Sequence, residues 1–292
     1  MPKLTDISYV KKLMEENGLT FLKKYGQNFL INESVPLRTA EMCEDDTSCG
    51  VIEIGPGIGT LTSKLAERFK KVVAIEIDTR LIPVLDTTLA EYDNVTVING
   101  DIMDFDINDL INEHFEGMDV CVCANLPYYI TTPIVMKLLE SSARLKSITI
   151  LIQKEVADRL CAKAGSAEYG AITASVAYYA EAKKLFNVSA GSFMPAPKVD
   201  STVVKLSIYP EKPVKPANEE LMFKIIKAAF LQRRKTLSNA VSNTVGISKS
   251  TVGDILEEMN LSRDIRGEKL SISEFAQFSD ILNTYMKNSS DT

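Results

Sequence analysis

Between residues 50 and 150, short runs rich in β-branched residues alternate with segments of helical period, and this alternation limits the fold more than any other feature of the chain. The runs fall at 51–54, 72–77, 95–98, 120–124 and 147–152. Strands separated by helices predict an α/β architecture, a doubly wound and mainly parallel sheet with helices on both faces. Within 61–70, Leu61, Leu65 and Phe69 recur at four-residue spacing, as one buried helix face requires. Thr132 ahead of Pro133 predicts an N-cap and a first-turn proline for a helix reaching Leu139. A late strand-like run at 202–208 is expected to complete the same sheet.

Pro210, Pro213 and Pro216 can continue neither a central strand nor a helix interior, so they mark a linker. Beyond it the period is helical: Asn218 predicts the cap of a helix running through Leu231, and Ser273 the cap of another through Met286. The expected organisation is a Rossmann-like domain over residues 1–208 and a small all-α domain over 209–292. At 292 residues and 45% hydrophobic composition, the chain is long and apolar enough to give each its own core.

A net charge of −6 opposes a nucleic-acid partner mildly, because neutralising phosphates takes clustered Lys and Arg. The charge is unevenly distributed. Residues 1–204 carry 20 basic and 28 acidic side chains, whereas 205–292 carry 13 and 11, so a basic surface, if present, is local. No stretch approaches the ~18 consecutive apolar residues of a membrane span, and residues 1–12 lack an apolar leader, so a cytoplasmic protein with no membrane partner is expected. Five cysteines, two of them in the apolar run at 120–124, suit reduced thiols better than a disulfide framework. With His114 as the only histidine and no Cys-x-x-Cys, no metal site is expected.

The first strand runs directly into Gly55-Pro56-Gly57-Ile58-Gly59 and then a helix, which places glycines where the backbone turns sharply and a ligand can approach closely. The next strand ends in Glu76 and Asp78, where a carboxylate can accept hydrogen bonds from both hydroxyls of a ribose. The third ends at Asn99-Gly100-Asp101, within reach of the base of a bound nucleoside. These elements serve a nicotinamide cofactor equally well. The spacing, however, lacks the third glycine of the pyrophosphate-binding pattern G-x-G-x-x-G, which favours a nucleoside cofactor without pyrophosphate.

The fourth strand ends in Asn125-Leu126-Pro127-Tyr128-Tyr129, at the strand edge where open α/β sheets bind ligands. The exocyclic amine of adenine is a poor nucleophile until acceptors hold its N–H groups and help the nitrogen become tetrahedral. An Asn oxygen and a carbonyl beside a proline are such acceptors, and a tyrosine face can stack on the base. The bland alternative is a strand-terminating turn, which Asn and Pro often make. Farther on, two prolines stiffen Phe193-Met194-Pro195-Ala196-Pro197-Lys198-Val199-Asp200-Ser201. Phe193 then either stacks on the opposite face of the base or plugs the core under the loop.

From about Lys23 onward the chain resembles the bacterial small-subunit ribosomal RNA adenine dimethyltransferases of the KsgA type. The resemblance rests on Tyr25-Gly26-Gln27-Asn28-Phe29-Leu30, Glu53-Ile54-Gly55-Pro56-Gly57, Asn125-Leu126-Pro127-Tyr128, Gln153-Lys154-Glu155-Val156-Ala157, the Phe193 to Ser201 segment, and Phe230-Leu231-Gln232-Arg233-Arg234-Lys235-Thr236-Leu237. It implies a class I methyltransferase domain in which Asn28, Leu30, Gly55, Gly57, Glu76, Asp101 and Asn125 line an S-adenosylmethionine pocket. It further implies that Asn125, the Leu126 carbonyl and Tyr128 present the target adenine, with Phe193 closing over it. Arg233, Arg234 and Lys235 would contact phosphates, although three adjacent cations also make an ordinary solvated surface. The implied activity is transfer of two methyl groups to each of two adjacent adenosines in a hairpin loop near the 3′ end of 16S rRNA in the 30S subunit. The implied enzyme is a monomer with a part in late subunit assembly. Three alternatives share these motifs: a 23S rRNA adenine methyltransferase conferring macrolide resistance, a catalytically silent RNA-binding relative, and a DNA adenine methyltransferase. The last lacks support, since neither an Asp/Asn-Pro-Pro-aromatic motif nor a separate target-recognition region is present.

Overall fold

The structure is a computed structural model and describes residues 2–21, 26–141, 143–232 and 234–290. Its strands are β1 Phe29–Leu30, β2 Gly50–Ile54, β3 Lys71–Glu76, β4 Val95–Asn99, β5 Val120–Asn125, β6 Leu145–Gln153, β7 Ala180–Val188, β8 Phe193–Met194 and β9 Ser201–Ile208. Seven make one sheet in the order β4-β3-β2-β5-β6-β9-β7, while β1 and β8 pair separately. The pairings β3–β4, β2–β3, β2–β5 and β5–β6 are parallel, and β9 joins β6 antiparallel. All five residues of β2 and the first five of β5 are buried, as strands covered on both faces require. At one edge, β7 exposes Lys183 and Lys184, whose charge discourages pairing with another chain.

The strands expected at 51–54, 72–77, 95–98, 120–124, 147–152 and 202–208 correspond to β2 through β6 and β9 with small shifts at their ends. Helix starts differ more. The helix after β5 is Thr131–Glu140, with Ile130 rather than Thr132 at the cap position. Its start is fixed by the preceding turn, because the Thr131 hydroxyl donates to the Pro127 carbonyl at 3.0 Å. The last helix, Ile272–Ser290, is capped by Ser271 and not Ser273. The Glu274 N–H donates to Ser271 Oγ at 3.3 Å while Glu274 accepts from the Ser271 N–H at 2.7 Å, a reciprocal capping box. Asn218 does cap Glu219–Leu231, accepting from the Leu221 N–H at 3.0 Å.

Packing divides the chain into two units, residues 1–157 with 182–208, and residues 158–181 with 209–292. The helical unit is therefore larger than 209–292. Its extra helix, Ala171–Tyr179, buries Thr173, Ala174, Ser175, Val176 and Tyr178, and the Tyr178 hydroxyl donates to Glu219 at 2.8 Å. Met222, Ile225, Ile226, Phe275, Phe278 and Leu282 centre that unit's core. In the α/β unit, the helix Ile7–Glu16 packs Val10, Leu13 and Met14 against Phe29, Ile58 and Leu81.

Candidate active site

Beyond β2 the chain enters Gly55, Gly57 and Gly59 at φ values of 71°, 61° and 87°, a left-handed region costly for any residue with a Cβ. At Gly57 space is short as well, since a Cβ would stand 3.2 Å from the Phe29 ring. The turn ends at the start of the helix Thr60–Ala66.

Strand register decides what faces this turn. Glu53 aligns with Ala74 on β3 and with Cys123 on β5. Side chains two apart along a strand share a face, so Glu53, Glu76 and Asn125 project from the same side of the sheet. All three line one cleft together with Asn28, Leu30, Gly55, Gly57, Leu126 and Tyr128. Every expected cofactor residue except Asp101 is thus in one place. Asp101 lines an adjoining pocket that shares Gly55, Ile77 and Pro127 with the cleft, and its carboxylate accepts from the Met103 N–H at 2.9 Å.

Glu76 is 4% exposed and accepts from the Gly57 N–H at 3.0 Å and the Asp78 N–H at 2.8 Å. Burial outweighs these two donors and pushes its carboxyl up to about 7. Asp78 behaves oppositely. The Arg80 guanidinium holds its carboxyl below the usual range, and Gln27 Nε2 donates to it at 2.8 Å. At the end of β5, Asn125 is half-buried, and its Nδ2 donates to the Asn28 carbonyl at 3.3 Å. The Tyr128 hydroxyl shares a 2.7 Å hydrogen bond with Ser201 Oγ, and burial raises its pKa.

Phe193 is not a cleft residue in this structure. It is 3% exposed and packs with Leu30, Val35, Leu151, Val188 and Val203, because the β1–β8 pairing sets it opposite Leu30. Of its two readings, the core plug describes the observed position. Arg234 and Lys235 are exposed beside the N-cap Thr236 of the helix Leu237–Val245; Arg233, like Lys23 and Tyr25, lies outside the described residues. Glu53 received no role from sequence reasoning although its signal was legible, as an acid inside the otherwise apolar strand Gly50–Ile54. It is 1% exposed, and burial, reinforced by Glu76, drives its carboxyl up to about 8.

The cleft therefore presents two buried carboxylates, and its described lining contains no Lys or Arg. With no cation to pair a pyrophosphate, and with two carboxyl groups that burial keeps from ionising, the lining suits a ligand that carries a ribose and a positive charge able to favour their ionisation. With this sheet order and a glycine turn after the central strand, the fold is that of class I methyltransferases. The chain belongs to the ribosomal RNA adenine dimethylase family, whose model matches residues 18–278.

Two curated relatives carry the name ribosomal RNA small subunit methyltransferase A. One, from Lachnoclostridium phytofermentans, is 46% identical over 293 residues, covering 98% of this chain and 100% of its own. The other, from Bacillus cereus, is 47% identical over 276 residues, covering 93% and 94%. Among solved structures, a dimethyladenosine transferase from Plasmodium falciparum superposes with a TM-score of 0.74 at 27% identity, over 89% of this chain and 98% of that one. The 23S rRNA methyltransferase ErmE superposes with a TM-score of 0.69 at 24% identity, over 88% and 100%, and so shares the fold.

Proposed function

We propose that this protein transfers methyl groups from S-adenosylmethionine to the N6 amines of two adjacent adenosines in a hairpin loop near the 3′ end of 16S rRNA, within the 30S subunit. The observation that carries this reading is one cleft lined both by the glycine turn with the buried acids Glu53 and Glu76 and by the Asn125-Leu126-Pro127-Tyr128 strand end. Glu76 would accept from the ribose hydroxyls, the Gly55–Gly59 turn would let the cofactor's backbone-facing edge approach, and Asp101 would meet its adenine from the adjoining pocket. When bound, the cofactor supplies an electrophilic methyl group on a sulfonium.

The remaining chemistry belongs to the protein. Asn125 Oδ1 and the Leu126 carbonyl accept the two N–H bonds of the target amine, which localises the nitrogen lone pair, while the Tyr128 ring stacks on the base. No strong base is needed at the site, because the methylated nitrogen is cationic and sheds its proton to water. Unpaired loop bases leave their stack at modest cost, which suits a target presented into a cleft. Arg234 and Lys235, with Arg233, would contact rRNA phosphates. The small-subunit target is favoured over 23S rRNA by the relatives at 46% and 47% identity, both named for the small subunit.

The test is transfer of labelled methyl from S-adenosylmethionine to purified, unmethylated small and large subunits, followed by mapping of the modified adenosines. Dimethyladenosine confined to the 3′ hairpin of the small subunit is expected. Label in the large subunit would move the protein to the resistance enzymes, and cofactor binding without transfer would make it an RNA binder.

A further inference from the structure

Among the titratable residues that line the cleft, Glu53 is the one that the methyl-transfer reading leaves unused. It sits one pleat deeper than Glu76 and Asn125, on the same face of the sheet, at 1% exposure. Among the described residues its Oε2 has no hydrogen-bond partner. Three described groups act on it or face it. The Thr62 hydroxyl offsets part of the burial effect without making a complete hydrogen bond. Glu76 on β3 raises the carboxyl further by its charge, and Cys123 on β5 stands beside it in register with its own thiol pushed upward by burial and by Glu53. No cation is among these groups. An ionised carboxylate here would be unpaired in a low-dielectric site beside a second carboxylate, which is strongly unfavourable, so the free protein holds Glu53 as the neutral acid.

A sulfonium changes that balance. S-adenosylmethionine carries one positive charge more than S-adenosylhomocysteine, at the sulfur that loses the methyl, and the two are otherwise nearly the same shape. We propose that Glu53 is a proton-linked charge sensor in the cofactor cleft, releasing its proton to solvent when the sulfonium-bearing donor binds and remaining protonated with the neutral thioether product. The carboxylic O–H bond breaks on donor binding and the proton passes to buffer; no other bond changes. The site thereby prefers fresh cofactor over spent cofactor through charge, with no steric discrimination required. Glu76 does not produce this difference, because its partners in the proposed complex are ribose hydroxyls common to both ligands.

The inference rests on the reading of the cleft as a site for S-adenosylmethionine, and the experiment separates the two. Both ligands are titrated into the full-length protein at pH 7 by calorimetry in buffers of different ionisation enthalpy, which counts protons. With a carboxyl near 8, the donor should release about one proton more than the product does. Its affinity advantage over the product should grow about tenfold per pH unit below pH ~8 and level off above it. In Glu53→Gln the extra proton disappears and the affinity ratio loses its pH slope. Equal proton counts for the two ligands in the wild-type protein would overturn the sensor while leaving the cofactor reading intact, and failure of either ligand to bind would overturn both. Because the wild-type comparison stands alone, poor folding of Glu53→Gln would not rescue the proposal; Thr62→Val, which removes the offsetting hydroxyl, should move the slope to higher pH.

Discussion

At the end of β3 the Glu76 carboxylate is 4% exposed and accepts two short backbone hydrogen bonds, whereas at the end of β5 Asn125 is half-buried and its Nδ2 makes a bond of 3.3 Å. These two strand ends line one cleft and are built to different standards. The β3 end is fixed before any ligand arrives, with Gly57, Asp78 and Gln27 all tied into it. The β5 end keeps polar groups in reserve: the proposed cofactor side is preorganised, and the proposed target side is completed by the substrate.

Substitutions on either side should break this comparison in different ways. The largest effect is expected from Asn125→Ala, which should lower methyl transfer on the order of 10²–10³-fold while leaving S-adenosylmethionine binding weakened but partly intact, because Asn125 also lines the cofactor cleft; single-turnover transfer and calorimetry check the two parts. Gly57→Ala should instead weaken the preorganised side, because its φ of 61° is left-handed and the new Cβ meets Phe29. A cost of about 1–2 kcal/mol and a thermal midpoint lower by about 2–8 °C are expected, together with loss of cofactor affinity.

The pH dependence of the free protein sharpens the contrast further. Glu53 and Glu76 keep their protons in the folded state up to about 8 and about 7, whereas in the unfolded chain they lose them near the ordinary carboxyl value of 4.5. Between those limits the folded state binds more protons than the unfolded one, so these groups make stability fall as pH rises from about 4.5 to about 8. Denaturant unfolding across that range should show the decline, and Glu53→Gln should flatten its upper part. The smallest effect belongs to Tyr128→Phe, which removes the hydrogen bond to Ser201 but keeps the ring. Transfer should fall by less than about fivefold and stability by about 1 kcal/mol, whereas Tyr128→Ala, which removes the stacking face, should cost much more transfer.

The difference between the strand ends also explains what could be read from sequence. The glycine turn, Glu76 and Asn125 lie at the ends of strands whose β-branched runs are unmistakable, so their convergence followed from the α/β pattern. Phe193 could not be placed that way, since its burial depends on a two-residue pairing between β1 and β8 across more than 160 positions of chain. The helix Ala171–Tyr179 was equally hidden, because a run of small and apolar residues buried on most sides has no amphipathic period. The strand β7 was masked by adjacent lysines on an edge that solvent reaches. Ser271 and Glu274, by contrast, form a capping pair legible in the sequence as Ser-x-x-Glu, two residues ahead of Ser273.

The measurement that tests the preorganised and reserve sides most directly is a crystal structure of this protein with S-adenosylhomocysteine and a target adenosine bound together. Glu76 should keep its bonds from the Gly57 and Asp78 amides near 3.0 Å and 2.8 Å while Asn125 turns away from the Asn28 carbonyl. A structure in which Glu76 abandons both amides, or in which Asn125 holds Asn28 unchanged with both ligands in place, would contradict the account.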